Sequence, residues 1–522
     1  MKTKISLMML LLAAWLMVGC EGQNEPTSEG GDATVESTDI ASVNKKINYY
    51  GTVYEVIMKD GNRMYFGIKN DKEVRMGCWS YFYDGCEDEY ETYAPYEYKG
   101  HLVIPEKITL EGKEYLVTEL YDMAEVILSS KSSALGGSDV NENYHRSEYY
   151  VTHPNTTLQS VVIPNTIKKI TSGCFAGCTA LQSVKFEKGS PVTELPERAF
   201  LCCSSLEEVI LPENLAVLDG FIAGPFICCT SLKSINLPET VTEIGDQAFL
   251  GCTSLENINL ENVKTIGDNA FMECTALKKL NMNNVDTINA SAFYKCTSLE
   301  TVTLDNLEFL GREAFDSCTS LISVVANKLE FLDEYAFVDC ANLRKIEFVE
   351  LRKGIISGTF HKCTSLEEVK LDNLEVLGKN AFNSCTSLKK IELPSIKYLG
   401  IDVEEDEDEI WWSSGDAFVD CRSMETVVLG ESLIKTNKGK LFERCDNLKD
   451  VYCYAVNPPL SVGNDYDDLD YRKFVGDFIL HVPAVSIEAY KETKWGEIYQ
   501  LPEYSDWEYK YAGERTIVAV EQ

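Results

Sequence analysis

The sequence predicts an α/β repeat solenoid: a right-handed coil with a parallel β-sheet on one face and short turns or helical turns on the other. Three observations predict it. Phe-x-x-Cys occurs twelve times, at Cys178, Cys203, Cys229, Cys252, Cys274, Cys296, Cys318, Cys340, Cys363, Cys385, Cys421 and Cys445. The steps between these cysteines are 25, 26, 23, 22, 22, 22, 22, 23, 22, 36 and 24 residues. Apolar residues return to the same places in every period, so no repeat buries its apolar face alone and stacked neighbours share one core.

A fixed period in the twenties is the signature of a leucine-rich solenoid. One full repeat runs from Cys229 to Phe249, "CTSLKSINLPETVTEIGDQAF". Leu232, Ile235, Leu237, Val241, Ile244, Ala248 and Phe249 hold its recurring apolar positions. The piece "LKSINLP" alternates around Ile235 and Leu237, which predicts a short strand with one buried face. "EIGDQAFLGC" then turns back, with Gly245 at the bend and Asp246 as a cap for a brief helical turn. Counting a degenerate copy at Leu158–Ile163, about thirteen strands stack at roughly 4.8 Å each, a sheet about 60 Å long.

The N-terminus points to export. Lys2 and Lys4 precede a fifteen-residue run, Ile5 to Gly19, that ends at Cys20. The run is short for a membrane span and has the shape of a signal segment. Its ending "LMVGC" resembles a bacterial lipobox, which implies that Cys20 carries lipid and that the membrane is reached through this anchor. Residues 1–19 are then a lipoprotein signal peptide and 20–47 a polar, disordered tether. Such a tether reaches on the order of 25–30 Å.

The repeat pattern, L-x-x-[IV]-x-L-P…[IV]-x-x-I-G-x-x-A-F-x-x-C, resembles the BspA-like, treponemal-type leucine-rich repeat of bacterial surface proteins. Both flanks are similar to that family's end units. "YKGHLVIPEKITLEGKEYLVTEL" (98–120) looks like its entry unit, and "FILHVPAVSIEAYKETKWGEIYQL" (478–501) like its strand–helix closing unit. The resemblance therefore divides the chain into a β-rich N-terminal cap over 48–157, with a loop inserted at 129–157, and a solenoid over 158–455 with an insertion at 401–414. A closing unit over 456–505 and a tail over 506–522 follow. It implies a binding or adhesion role at the bacterial envelope, outer membrane or cell surface, with no catalytic residues to carry over.

The evenly spaced cysteines suit architecture better than chemistry. Structural zinc needs four ligands converging in space; one cysteine per turn with no histidine in the frame does not supply them. Catalytic thiols need a basic neighbour, whereas these lie between Phe and Leu. Disulfides are allowed in an exported chain, but in-register side chains point the same way. The twelve read as a ladder of buried small hydrophobes, each thiol weakly donating to a carbonyl at the turn. Off the frame, Cys202 with Cys228 and Cys78 with Cys86 are candidate disulfides. Cys174 and Cys453 replace apolar residues and read as core.

Candidate contact residues lie in two places. The strands present outward pairs on either side of a buried Ile or Val, among them Asn257/Asn259, Lys279/Asn281, Thr301/Thr303, Lys345/Glu347, Glu368/Lys370 and Lys390/Glu392, and Tyr452 is the aromatic residue on that face. The 36-residue step contains six consecutive acids, Glu404 to Glu409, followed by Trp411 and Trp412. Paired tryptophans stack on sugars or anchor a protein; an acidic loop packed back on the solenoid is the plainer reading.

The formal net charge of −35 and the pI near 4.6 repel phosphate backbones, which argues against a nucleic-acid partner. No G-x-S-x-G, Walker-type loop, G-x-G-x-x-G or H-E-x-x-H is present. The expectation is a non-catalytic module without metal or cofactor. It binds a protein or glycan ligand through an extended surface. A glycan-binding accessory lipoprotein of a nutrient-uptake system and a purely structural envelope protein are the alternatives.

Overall fold

The computed structural model describes residues 40–48, 51–77, 98–121, 155–218, 223–352, 357–401, 417–437, 441–462, 478–493, 495, 497–500 and 510–520.

The apolar residue at the centre of each short run goes inward, and its neighbours face out: Lys279–Asn281, Thr301–Thr303 and Lys390–Leu393 all begin with this exposed–buried–exposed alternation. From Leu158–Ile163 to Asp450–Cys453 the described residues form thirteen such strands, as the period predicts. Gly100–Val103 precedes them, pairing parallel with Leu158–Ile163, and Ile479–Val482 and Ile517–Ala519 follow. This first sheet consists of hydrogen-bonded ladders of four, two, five and five parallel strands.

Opposite it the sequence predicts only turns, and there the structure adds a second parallel sheet. Pairs such as Glu243–Ile244, Thr265–Ile266, Thr287–Ile288, Phe309–Leu310 and Phe331–Leu332 stack in register. Each is two residues long, too short for a period-two pattern to register.

The third side carries the Ala-Phe-x-x-Cys segment. Gln247, Phe249 and Gly251 donate their N–H groups to Asp268, Ala270 and Met272 of the next rung, each at 2.8 Å. Ala248, Leu250 and Cys252 donate instead three residues back, to Gly245, Gln247 and Phe249. This alternation needs two left-handed residues per rung, one before Ala and one before Cys, for example Gln247 (φ 56) with Gly251 (φ 71) and Ser291 (φ 52) with Lys295 (φ 57). The left-handed region costs an L-residue about 1–2 kcal/mol, and the cross-rung hydrogen bonds offset that cost. The helical turn expected at Asp246 is thus a series of turns. Its carboxylate accepts from Asp268 N–H of the next rung at 2.8 Å instead of capping its own segment.

The core is built from columns of identical residues. Twelve phenylalanines, Phe175 to Phe442, stack rung on rung at centroid spacings from 5.1 to 5.9 Å. Beside them eleven thiols, Cys203 to Cys445, each donate to the carbonyl of the preceding rung's phenylalanine at 3.1 to 3.2 Å. Cys178 begins the column and is fully buried. Across the 36-residue step the contacts continue: Cys421 Sγ meets Phe382 O at 3.1 Å, and Phe382 stacks on Phe418 at 5.8 Å.

Both ends correct the expected boundaries. Residues 40–47, read as the end of a tether, belong to the strand Ile40–Asn48, which pairs antiparallel with Gly51–Met58. Its charged and amide side chains hid it from a composition argument, yet they bond to the cap: Asn44 Nδ2 to Glu55 and Lys45 Nζ to Glu111. The cap itself is an antiparallel run, 40–48, 51–58, 63–68 and 73–76, that joins Lys113–Leu120 and through it the second sheet at Lys169–Ile170. At the other end, the tail is part of the fold. Lys510–Glu514 pairs with Glu497–Gln500, and Ile517–Ala519 forms the last rung of the first sheet. Between these two strands Arg515 is buried, its guanidinium 3.5 Å from the Phe478 ring centroid and donating to Trp495 O and Phe478 O. The helix Ile487–Lys491 closes the core with Tyr490, whose hydroxyl meets Cys453 Sγ and donates to Ala455 O.

Each column residue touches a copy of itself above and below, so truncating one leaves a void bounded by two rungs. Phe293→Ala is expected to cost about 3–5 kcal/mol, seen as a lower urea midpoint. Thr301→Ala, on the exposed face, is expected to change stability by less than about 0.5 kcal/mol.

Candidate functional site

The recurring polar letters mostly serve the rungs. Thr275 Oγ1 donates to Thr253 O and Thr386 Oγ1 to Thr364 O. Asn284, Asn306 and Asn373 donate from Nδ2 to carbonyls of the preceding rung at 2.7 to 2.8 Å. What can meet a partner is therefore what remains on the outward faces.

On the first sheet, the expected contact residues separate into two groups. Asn259 is held by the backbone: Leu237 N–H donates to its Oδ1 at 2.7 Å and its Nδ2 donates to Leu237 O at 3.0 Å. It bridges a place where the strands pair over only two residues. Asn281 Oδ1 accepts from Thr303 Oγ1 at 3.1 Å, and Thr303 Oγ1 accepts from Met282 N–H. Asn257 and Thr301 are exposed. The charged pairs are neutralised in place, with Glu347 accepting from both Lys345 and Lys370, and Lys390 bound to Glu392.

Tyr452 has a partner the sequence reading missed. His481, one rung on, stacks on it at 4.1 Å with an interplanar angle of 11°, and His481 Nε2 lies 2.7 Å from Asp450 Oδ1. In register, Val428 lies beside Tyr452 and Val518 beside His481. The stack covers one face of each ring, which leaves less ring face for a sugar.

A second feature lies on the sheet that the sequence did not predict. Phe309 and Phe331 occupy the outward position of successive two-residue strands, half-buried and stacked at 5.1 Å and 2°. Glu308 and Glu330 precede these rings and Asp286 precedes Thr287 one rung earlier, so three acidic residues stack rung on rung. None of these three carboxylates makes an ion pair or side-chain hydrogen bond among the described residues. The signal was in the sequence: aligned by period, Phe309 and Phe331 follow Thr265 and Thr287 at one position.

The third side holds a half-buried carboxyl. Asp316 lies in register between Tyr294 and Val338, in a column that begins Ala176, Leu201, Ile227, Leu250 and Met272. Burial pushes its pKa up to about 7 from the usual 3.8, aided by Glu313 and Asp339 and opposed by the hydrogen bond from Ser317 and by Lys295. Two rungs beyond Asp316, burial lowers the pKa of His361. Among the described residues no group of three or more His, Cys, Asp or Glu side chains is placed to hold a metal ion, and no helix is long and apolar enough to cross a membrane.

Cys202 and Cys228, expected as a bridged pair, are not joined by a disulfide; both thiols are partly exposed and hydrogen-bonded to one another. Cys174 and Cys453 are buried in the core. Cys20, Cys78, Cys86, Trp411 and Trp412 lie outside the described residues, as does the insertion beyond Ile401.

The family described as BspA type leucine-rich repeat region matches residues 149–222, 223–328 and 308–403, in six copies. Among solved structures, a leucine-rich repeat protein from Bacteroides ovatus ATCC 8483 is 23% identical, with a TM-score of 0.44 over 74% of this chain and 92% of its own. The Treponema pallidum leucine rich repeat protein is 32% identical, with a TM-score of 0.29 over 30% and 78%. The pneumococcal vaccine antigen PcpA is 16% identical, with a TM-score of 0.41 over 93% and 100%. No curated protein matches the chain.

A carboxyl whose folded pKa is raised binds its proton more tightly in the folded state. Stability from Asp316 is therefore fully present below about pH 4 and is lost as pH rises to about 7. Asp316→Asn, which keeps the acceptor for Ser317, is expected to gain melting temperature relative to wild type across that window. The difference should level off above pH 7, and a difference independent of pH would contradict this reading.

Proposed function

We propose that this BspA-type leucine-rich-repeat protein is a non-catalytic binding module whose partner is a protein with basic and apolar residues. The observation that carries the proposal is the face formed by Phe309, Phe331, Asp286, Glu308 and Glu330. Like charges stacked on adjacent rungs are unfavourable, and among the described residues no ion pair neutralises these three, although Lys264 holds the same position one rung before Asp286. Half-exposed aromatic rings beside them supply the apolar area that anchors protein contacts. The rigid stacking fixes both in place before a partner arrives, which reduces the ordering cost of binding.

The test is binding of cationic, aromatic-rich peptides to the full chain, measured by isothermal titration at low and physiological salt. Glu308→Gln with Glu330→Gln is expected to weaken binding roughly tenfold and to flatten its salt dependence. Phe309→Ser with Phe331→Ser is expected to weaken it at both salt concentrations. Unchanged affinity in both double variants would overturn the assignment of this face. The glycan reading rests on Trp411 and Trp412. Saturable binding of soluble polysaccharide that is lost on Trp411→Ala and Trp412→Ala would replace the protein reading.

We further propose that Cys20 is lipidated and that the module is held by this anchor in a bacterial envelope, at the outer membrane or cell surface. Support comes from Lys2, Lys4, the apolar run and "LMVGC". In a Gram-negative host, Cys20→Ser is expected to move the protein from the membrane fraction to the soluble fraction. Retention in the membrane would contradict it.

A further inference from the structure

Two cysteines stand apart from the ladder. Cys202 and Cys228 occupy the residue just before the ladder cysteine in successive rungs. Their rungs are joined directly, since Cys202 N–H donates to Ile227 O and Cys228 N–H to Leu250 O, both at 2.8 Å. Each has φ 57, so the two side chains leave matched turns. The thiols hydrogen-bond one another and are partly exposed. They pack against a small apolar cluster of Ala176, Leu201, Ala223, Ile227 and Leu250 that is separate from the main core.

Their surroundings give them room. The same position is Gly177 in the rung before and Gly251 in the rung after. A Cβ on Gly251 would lie 3.3 Å from Cys228 Sγ, and its φ of +71° disfavours other residues there. Later rungs carry Glu273, Lys295 and Asp339 at this position. The pair is thus flanked by the two rungs that leave the thiols free to rotate.

Chemistry separates Cys228 from the ladder, whereas the Cys202 thiol is raised by its hydrogen bond with Cys228 and by burial. Burial pushes the Cys178 thiol up to about 12 and those of Cys274, Cys318 and Cys340 well above the ordinary value. The hydrogen bond from Cys202 instead lowers the pKa of Cys228, with burial opposing it. The thiolate is the reactive form of cysteine.

We propose that Cys202 and Cys228 form a redox-active dithiol that closes a disulfide between two rungs by thiol–disulfide exchange. The oxidant is a small-molecule or protein disulfide, RSSR. The Cys228 thiolate attacks one sulfur of RSSR, whose S–S bond breaks; the leaving thiolate takes up a proton as RSH. Cys202 loses its proton to water and attacks the Cys228 sulfur of the mixed disulfide, releasing a second RS⁻ that is protonated in turn. Two protein thiols are oxidised by two electrons, and one RSSR is reduced to two RSH. Parallel rungs about 4.8 Å apart place the alpha carbons within the 4.4–6.8 Å range of bridged cysteines. Rotations about the two Cα–Cβ bonds that turn each sulfur toward the other rung, Cys228 Sγ away from the Gly251 side where it now lies, bring the sulfurs together.

The test uses the full native chain incubated with oxidised glutathione, quenched in acid, alkylated in denaturant and mapped by peptide mass spectrometry. The expected result is loss of free thiol at Cys202 and Cys228 together, with a peptide linked through both, while Cys252, Cys274 and Cys296 stay alkylated. Cys202→Ser should trap a glutathione mixed disulfide on Cys228, several-fold faster than Cys228→Ser traps one on Cys202. Free, alkylated Cys202 and Cys228 after oxidation would overturn the pair. So would oxidation no faster than at the ladder cysteines, or equal trapping rates in the two serine variants. Both variants change partly exposed side chains, and an unchanged melting temperature confirms that they fold.

Discussion

Everything in this molecule depends on rungs stacking in register. Once one rung sits on the next with no offset, every side chain meets its own counterpart, and only residues that stack favourably with themselves can recur. Phenylalanine does so through offset rings. Cysteine does so by placing a small, weakly donating thiol under the carbonyl of the neighbouring phenylalanine. Threonine and asparagine do so by donating to the carbonyl one rung back. The repeat consensus is a list of self-compatible residues, and charge is admitted only where it alternates in sign or faces water. The acidic row at Asp286, Glu308 and Glu330 does not alternate in sign and is admitted because it faces water, which leaves it open to a partner.

The repeat architecture was legible because the pattern is long and strict. Twelve copies of Phe-x-x-Cys leave little freedom in the number of rungs or in which residues are inside. The second sheet was not legible, because its strands are two or three residues long and an alternation cannot be seen in so few. Neither were the left-handed positions before Ala and Cys. Their occupants include Gln247, Ser291, Lys295 and Tyr335, and only the cross-rung hydrogen bonds explain why such residues are tolerated there. The strand at 40–48 was obscured by polar composition, and the rung at 517–519 by its place outside the repeat frame, beyond the closing unit. Their pairing is decided by the ends of the solenoid, which offer open edges to whatever chain is at hand.

The candidate contact surface was legible only in part. Outward positions on the first sheet follow from alternation, but whether an outward side chain is available does not. Asn257 and Asn259 are two residues apart and chemically identical. One projects freely, and the other bridges the backbone of the neighbouring rung. Sequence alone has no means of telling them apart, because the difference arises from a local shortening of the strand pairing. His481 was missed because it lies in the closing unit, outside the repeat frame, and reaches Tyr452 only through the parallel pairing of the last rungs.

The long step between Cys385 and Cys421 has a consequence for how such a chain can change over time. The thiol of Cys421 finds Phe382 as if no extra residues intervened. Register is therefore stored in what stacks, and the number of residues between rungs carries no positional information. A stretch of any length can be spliced between two rungs, drift freely in sequence and acquire a task of its own, while the scaffold on either side remains unaware of it. Each turn is in that sense a reserved address at which novelty can be installed without renegotiating the fold.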